Sequence, residues 1–458
     1  MIENDAFKLL LINLFHLNPD DITNIVCTTF NKMMVLLVTL ADKHQACPYC
    51  GFTAPKIKEY VTKEITHSAL TTQKCIIKYR ARRYKCPCCG KTYYEFNPFV
   101  FKSQKISILT VHNILKDLKD FNETFTSVAR RYHVSPTSVS TIFDNHVDIG
   151  RNPLPEIINF DEVYAFKSEK SKYVCVLLDF KKQIPVDVLP NRKKEYLLNY
   201  FQKIPLEERK KVKYACSDMY EVYRDVVHKV FPSCCMLLDY FHLSQDFHRK
   251  MNEVRIKVMK GYKDNKASDE YYLLKKFNWL LFKNPEDEDK YGRLFDVERE
   301  RKYNSHFKSY MNYYDLRKKI LEINNDLTIC YSLKLELVDF YSKSTIDNAK
   351  VNLENLIRSC IDTNIDEMIA FSNNLINWKQ EIINSFTIVG TEYKVEADKG
   401  QVVVCNKKVN NAIIENRNKI IKCIKNNANG YTNWSRFRNR VMYVLDPNTT
   451  FSLEPREK

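Results

Sequence analysis

Apolar positions along the 458-residue chain change their spacing several times, and those changes divide it into zones. Up to about residue 101 the segments are short and alternate with period two. Between 74 and 85 the alternation places Ile77 and Tyr79 on one face and Lys78, Arg80 and Arg82 on the other, which predicts a strand with one cationic side. From 107 to 148 the spacing becomes helical. Residues 125–143 read as two short helices in which Val128, Ala129, Val134, Val139 and Ile142 fall where the pair packs. Ser135 is a fitting N-cap for the second helix and Pro136 stands at its first position. Pro153 and Pro155 then punctuate the chain. Strand-like runs follow at 157–161, 173–179, 184–189, 212–218 and 236–239, with helical runs at 194–201 and 220–230 between them. Residues 242–386 are helical throughout, rich in Lys, Glu and Asn and nearly free of Gly and Pro. An extended piece at about 387–404 leads to a last helical stretch that carries Glu415.

Composition narrows the class. Apolar residues make up 44% and charged residues 28%, as in a soluble globular protein of several domains. A net charge of +16 points to a polyanionic partner. The N-terminus is acidic and its apolar run at 9–15 is broken by Asn13, so no signal peptide is expected. No stretch approaches roughly 18 uninterrupted apolar residues, so no membrane span is expected. Fifteen cysteines, an odd number without a secretion signal, imply reduced thiols in a cytoplasm with some reserved for metal.

Four of those cysteines form a pattern. Cys47-Pro-Tyr-Cys50-Gly51 and Cys86-Pro-Cys88-Cys89-Gly90 are paired knuckles, each presenting two sulfurs to one ion. The glycine after each pair permits the tight backbone. Cys47, Cys50, Cys86 and Cys89 are therefore read as the closed ligand set of one structural zinc, with Cys88 a spectator. A redox role would need a single motif in a thioredoxin-like setting.

Several cationic and small polar residues are candidates for DNA. Lys78, Arg80 and Arg82 suit a phosphate-gripping strand, the alternative being a solvated edge protected by charge. Thr137, Ser138 and Thr141 lie on the exposed face of the second short helix and can approach a major groove, while Arg130 and Arg131 can hold phosphates. Lys419, Lys422 and Lys425 follow Glu415 at helical spacing, and Arg436, Arg438 and Arg440 come soon after, with Tyr431 and Trp434 interleaved. They read either as a surface that guides DNA, with the aromatics stacking on an unpaired base, or as a solvated helix with Trp434 in the core.

The strands after Pro155 come as a meander of three, then alternate with helices. That is the order of an RNase H-like fold, in which the first and fourth strands are neighbours and Asp161 lies beside Asp218. Two close carboxylates repel each other, and a divalent cation resolves the conflict. Hard oxygen ligands select Mg2+ or Mn2+, and two such ions serve phosphodiester transfer. Glu162 falls on the opposite face of its strand and is not counted as a ligand. The plain alternative for Asp218 is a cap on the helix that follows.

At this point the chain resembles the DDE transposases of bacterial insertion sequences, in their ISL-three branch. The resemblance rests on the paired knuckles, on Ile158-Asn-Phe-Asp161-Glu162 followed by Asp187-Val-Leu-Pro190-Asn-Arg192, and on Ser217-Asp218-x-Tyr220. It extends to Leu238-Asp239-Tyr-Phe-His242, to Ile421-Lys-Cys-Ile-Lys425-Asn-Asn-Ala-Asn-Gly430-Tyr431 and to Phe437-Arg-Asn-Arg440. By position it implies Asp161 and Asp218 as the catalytic aspartates and Glu415 as the catalytic glutamate. It implies that Asp239 and His242 organise the active site, and that residues 242–386 correspond to a helical insertion with Trp378-Lys-Gln-Glu381 near its end. The family flanks its glutamate with Asn-Gly and Gly-x-Asn-Asn; here Asn411 and Asn418 remain and the glycines are absent.

The expected architecture is multidomain α+β. A zinc-ribbon region spans 1–101 and a helix-turn-helix 102–150. An RNase H-like core spans 151–241, is interrupted by an all-α insertion at 242–390, and is completed by 391–458. The implied function is metal-dependent cleavage and strand transfer at terminal inverted repeats of double-stranded DNA. It carries with it a homodimer in the DNA complex and a cytoplasmic, nucleoid-associated location. A catalytically inactive DNA-binding regulator and an RNase H-like nuclease without strand transfer are the alternatives.

Overall fold

The computed structural model describes residues 2–43, 46–68, 70–101, 104–166, 171–395 and 402–456. Helix α1 (Ile2–Leu14) precedes a sheet of β1 (Ile22–Phe30), β2 (Met33–Leu40), β3 (Lys56–Thr66), β4 (Cys75–Lys85) and β5 (Thr92–Tyr94). Its order is β1-β2-β4-β3, with β5 also on β4 and the β2–β4 pair parallel. The alternation read in β4 is present: Ile77 and Tyr79 are buried with Leu36 and Phe99, and Arg80 faces out. Helices α2 (Ile108–Asp117), α3 (Phe125–Arg131) and α4 (Pro136–His146) follow and pack on Val111, Val128, Val139 and Phe143. Thr124 and Ser135 accept hydrogen bonds from the third backbone N–H of α3 and α4, and Pro136 opens α4 as expected.

The next sheet contains β6 (Ile157–Val163), β7 (Val174–Asp179), β8 (Pro185–Leu189), β9 (Tyr214–Ser217) and β10 (Cys235–Leu238), in the order β10-β9-β6-β7-β8. The β6–β9 and β9–β10 pairs are parallel and the β6–β7–β8 meander is antiparallel. Helices α5 (Lys194–Gln202), α6 (Leu206–Arg209) and α7 (Glu221–Val230) connect these strands. Both faces of the sheet are covered, which explains why β7 is apolar at every position before Asp179. Cys175 and Leu177 point to the cluster of Phe201 and Tyr223 on one side. Val174, Val176 and Leu178 meet Ile414, Ile421 and Val441 from the chain's end on the other.

Between β10 and that end stands a unit with its own core of Phe247, Met251, Leu337, Phe371 and Trp378. It comprises α8 (Tyr240–Lys260), α9 (Asp269–Lys276), α10 (Tyr313–Glu322), α11 (Asn325–Lys343), α12 (Ala349–Asp362), α13 (Asp366–Asn377) and α14 (Lys379–Asn384). It is not all-helical, contrary to the sequence expectation. Two short hairpins join α9 to α10: β11 (Glu288–Asp289) with β12 (Gly292–Arg293), and β13 (Lys302–Asn304) with β14 (Ser309–Met311). Gly292 takes a φ of 98° at the first turn and Lys308 one of 48° at the second, backbone states that end a helix. A further hairpin, β15 (Ile388–Val395) with β16 (Val402–Lys408), leads to α15 (Ala412–Asn427) and α16 (Trp434–Leu445). Among the described residues no helix is long and apolar enough to cross a membrane.

Helix α16 ties the sheet to the three-helix unit, and it does so with the arginines read from sequence as DNA contacts. Arg436 forms an ion pair with Asp144 of α4 at 2.6 Å. Arg438 donates to Asp187 of β8 and to the Ile149 carbonyl, both at 2.7 Å. Arg440 is 1% exposed and donates to the carbonyls of Asp120 and Glu123 at 2.8 Å each. The reading of Arg440 as part of a phosphate surface is thus corrected, because it is buried, and Arg436 and Arg438 act as struts to Asp144, Asp187 and the Ile149 carbonyl. Arg440→Ala removes a charged donor from two interior carbonyls and leaves a cavity. Its unfolding free energy in urea is expected to fall by about 2–4 kcal/mol. Lys422→Ala, at an exposed site, stays within about 0.5 kcal/mol; equal melts for the two variants would contradict the strut.

Candidate active site and nucleic-acid interface

The parallel pairing of β6 with β9 sets Asn159 opposite Cys216. Continued by two residues, that register brings Asp161 level with Asp218, just past the end of β9. Helix α15 crosses this edge with a polar stripe. Asn411, Glu415 and Asn418 are spaced by four and three residues and therefore share one helix face. Asn411 accepts a hydrogen bond from Asn159 at 2.7 Å, and Asn159 also donates to the Asn410 carbonyl at 2.8 Å. Asn418 donates to Oδ2 of Asp161 at 2.7 Å. Asp239 follows β10 as the N-cap of α8, and His242 lies in that helix's first turn. The Nε2 of His242 is 3.8 Å from Asp239 Oδ2 and 3.7 Å from Glu415 Oε1.

Burial governs the charges here. Asp161 is 9% exposed, and burial pushes its carboxyl up to about 7. The Glu162 amide opposes that rise, and the charges of Asp218, Glu162 and Glu415 add to it. Burial also raises Asp218, Asp239 and Glu162. His242 and Arg192 pull Asp218 back toward its charged form. Glu162 turns away from Asp161, as strand alternation requires, and meets Arg192 and the Tyr223 hydroxyl. The Arg192 guanidinium in turn lies 4.7 Å from the ring centres of both Tyr173 and Tyr220. Asp218 Oδ1, Asp239 Oδ2 and His242 Nε2 are buried with no hydrogen-bond partner among the described residues. Unpartnered anionic oxygens in a low dielectric are costly, and this donor set fits a divalent cation. Among the described residues, two groups bring three or more such ligand atoms within 4.8 Å of one another: the four cysteines, and Asp239 with His242 and Glu415. Asp161 and Asp218 lie beside the second group and are not members of it.

The cysteine site is built as its spacing requires. Cys47 and Cys89 sulfurs are 3.7 Å apart, and those of Cys50 and Cys86 are 3.5 Å apart. A tetrahedron with ~2.3 Å metal–sulfur bonds has edges of about 3.8 Å. Gly51 and Gly90 take φ of 75° and 71°, and each N–H closes its turn on the first cysteine's carbonyl at 2.9 Å. The Cys89 amide leads in holding the Cys86 thiol down to about 7. Cys88 is exposed and outside the group.

The DNA-facing candidates divide. Arg80 is exposed beside the Tyr60 ring, and Lys78 pairs with Glu64 at 2.8 Å. Arg82 is corrected: it is bound to Glu95 at 2.7 Å and to the carbonyls of Leu40 and Ala41, which consumes its fork. Arg131 is paired with Asp117 and Glu123 and stays partly exposed. Arg130, Thr137 and Thr141 are exposed, and Ser138 is half-buried with its hydroxyl 2.8 Å from that of Ser135. Lys419 and Lys422 are exposed, while Lys425 is half-buried with Nζ 4.9 Å from the Tyr164 ring centre. Trp434 packs edge-on against Phe166, and Tyr431 against Phe125 and Phe437, so both serve the core. A cleft of about 470 Å3 between the start of α3 and residues 427–433 is lined by Arg130, Tyr431 and Asn433. The roles of Asn411, Asn418 and Arg192 were not anticipated; the spacing of the two asparagines about Glu415 was the available signal.

The geometry can be set beside known proteins. A family model of ISL-three-type DDE proteins, described as "Transposase", matches residues 158–397. The transposase for insertion sequence element IS1001 from Bordetella parapertussis is 19% identical over 408 residues, covering 89% of this chain and 90% of that protein. Asp161, Asp218, Asp239 and His242 fall within the family match, and Glu415 lies beyond it.

The raised carboxyl has a consequence for stability. Asp161 titrates near 7 when folded and near ~3.9 when unfolded, so the folded chain holds this proton more tightly between those values. In buffer free of Mg2+ and Mn2+ its contribution is greatest below about pH 4 and is lost as pH rises through about 7. Asp161→Asn removes that loss, so urea midpoints of variant and parent diverge from pH 5 to pH 8 in the variant's favour. A constant difference across that range would contradict the burial of this group.

Proposed function

The chain belongs to the ISL-three family of DDE transposases, and from that premise we propose that Asp161, Asp218 and Glu415 are its catalytic carboxylates, acting at the terminal inverted repeats of an insertion sequence. It is a DNA-cleaving and strand-transferring enzyme of a family that uses divalent metal. The observation that carries the residue assignment is the buried edge where Asp161, Asp218 and the Glu415 stripe of α15 come together with unpartnered oxygens. Asp161, Asp218 and Glu415 would hold two Mg2+ or Mn2+ ions, which would neutralise charge on the attacking and leaving oxygens of a phosphodiester. Asn418 fixes the Asp161 carboxylate, and Asn411 anchors the start of α15 to β6, so Glu415 is presented on a rigid helix. Arg192 offsets part of the local negative charge through Glu162. In the first reaction water attacks a phosphorus at the element's end and frees a 3′-hydroxyl. In the second that hydroxyl attacks a target phosphodiester and displaces a 3′-oxygen.

The strand order β10-β9-β6-β7-β8, with the first strand central, supports an RNase H-like reading of this sheet. The hairpin-bearing helical unit is then an insertion between β10 and α15. The caps of α3 and α4 support a helix-turn-helix in which Thr137 and Thr141 meet bases and Arg130 meets phosphate. Arg80, Lys419 and Lys422 extend that contact. The four cysteines hold one structural zinc. Two such chains act together, because two transposon ends must be held for joining. A regulator that binds without cutting and a nuclease that stops at nicks are the readings that the experiment separates from this one.

The test is incubation of the full chain with linear DNA bearing the element's ends, plus Mg2+ or Mn2+. Asp161→Ala, Asp218→Ala and Glu415→Gln are each expected to lower joined products roughly 10²- to 10³-fold while end binding is retained. Joined products that persist in Asp161→Ala would refute the assignment. Metal analysis of the purified chain should give one zinc per chain, and Cys50→Ser with Cys86→Ser should lose it along with thermal stability; an unchanged zinc content would refute the cysteine site.

A further inference from the structure

We propose that Asp239, His242 and Glu415 together form a cation site with one nitrogen donor, and that this donor makes the site favour Mn2+ over Mg2+. The inference deepens the reading of Glu415 as an active-site carboxylate and rests on it. Asp239 and His242 are three residues apart across the start of α8, so their side chains share one face of its first turn. Glu415 comes from α15, held against β6 by Asn411 and Asn418 on either side of it. The three ligand atoms lie within 4.8 Å of one another.

Two observations separate this group from an ordinary ion-paired histidine. The first is spacing. The imidazole nitrogen stands 3.8 Å from Asp239 and 3.7 Å from Glu415. A hydrogen-bonded imidazolium would close to about 2.7–3.2 Å. Donors that share an ion at ~2.1 Å stand about 3–4 Å apart. The second is the unmet valence. Among the described residues Asp239, 4% exposed, has no hydrogen-bond partner for its Oδ2, and neither does the buried Nε2 of His242 that faces it. One shared ion satisfies both atoms. Imidazole is a borderline donor that Mn2+ accepts, whereas Mg2+ prefers oxygen and water. A site with carboxylates from two helices and one such nitrogen therefore discriminates between the two ions.

The full chain, with its cysteine site intact, is titrated with Mn2+ alone and followed by electron paramagnetic resonance. Bound Mn2+ is expected to show electron spin-echo modulation from a directly coordinated 14N. His242→Gln should abolish that modulation and weaken one Mn2+ site by roughly tenfold or more, with a smaller change for Mg2+ measured by competition. Labelling the unaltered protein with 15N-histidine should convert the modulation, which tests the donor without any substitution. Bound Mn2+ without 14N modulation, or modulation unchanged in His242→Gln, would overturn the proposal. The two readings fail separately. Loss of joined products in Asp161→Ala with nitrogen modulation intact in His242→Gln overturns the nitrogen donor alone. Nitrogen modulation together with full joining by Glu415→Gln leaves the cation site standing and removes the catalytic role of Glu415.

Discussion

The burial of like charges at the end of the β6–β9 pair is the constraint around which the rest is arranged. Asp161, Asp218, Asp239 and Glu162 all have carboxyls raised by burial, within one small region. A fold pays nothing for one solvated carboxylate, but four in a low dielectric oppose folding unless something compensates. The protein supplies one guanidinium, from Arg192, and commits it to Glu162 on the far side of the strand. It supplies two N–H donors to Asp161, the Glu162 backbone amide and the Asn418 side chain. Among the described residues it leaves buried atoms of Asp218, Asp239 and His242 without partners. That deficit is what a divalent cation removes. The cost to the cation-free protein is therefore the counterpart of affinity for the ion.

The same edge explains why the chain must return to its core after so long an excursion. The strands that carry Asp161 and Asp218 are complete by residue 238, yet one face of their sheet is closed by α15 and α16. The intervening unit has its own core and meets the sheet through specific contacts. Asn384 of α14 donates to the Met236 carbonyl on β10 at 2.9 Å, and the Arg224 guanidinium lies 4.3 Å from the Trp378 ring centre. Both contacts come from the end of the unit, and the Asn384 bond holds β10, the strand that leads directly into α8 and His242. The unit thus bears directly on the geometry of the site.

Much of this was legible in the sequence, and the failures have physical causes. Period-two spacing marked β4, N-cap chemistry marked the start of α4, and the cysteine knuckles marked their own site, because each of these signals is local. The hairpins at 288–311 were missed because strands of two or three residues carry no periodicity. The arginines of α16 were misread for two reasons. At 100° per residue, Arg438 falls on the opposite side of the helix from Arg436 and Arg440, so the three never formed one face. Their partners, Asp144, Asp187 and the carbonyls of Asp120 and Glu123, lie far away in sequence. Glu415 was reached through family resemblance, while the stripe formed with Asn411 and Asn418 was present in the spacing and went unused.

The fate of the arginines also bears on how the chain meets DNA. Guanidinium forks are the side chains best suited to bidentate readout of guanine and phosphate. Here Arg82, Arg131, Arg192, Arg436, Arg438 and Arg440 are bound to carboxylates or carbonyls within the protein. Of the positions considered for DNA, those left exposed are Arg80, Arg130, Lys419 and Lys422, with Thr137 and Thr141 on α4. Lysine contacts phosphate as a point charge and reads little sequence. Under the proposed function this separates two tasks. The lysines beside Glu415 suit a partner of varied sequence, as target DNA must be. Discrimination of the element's own ends then falls to the small polar face of α4.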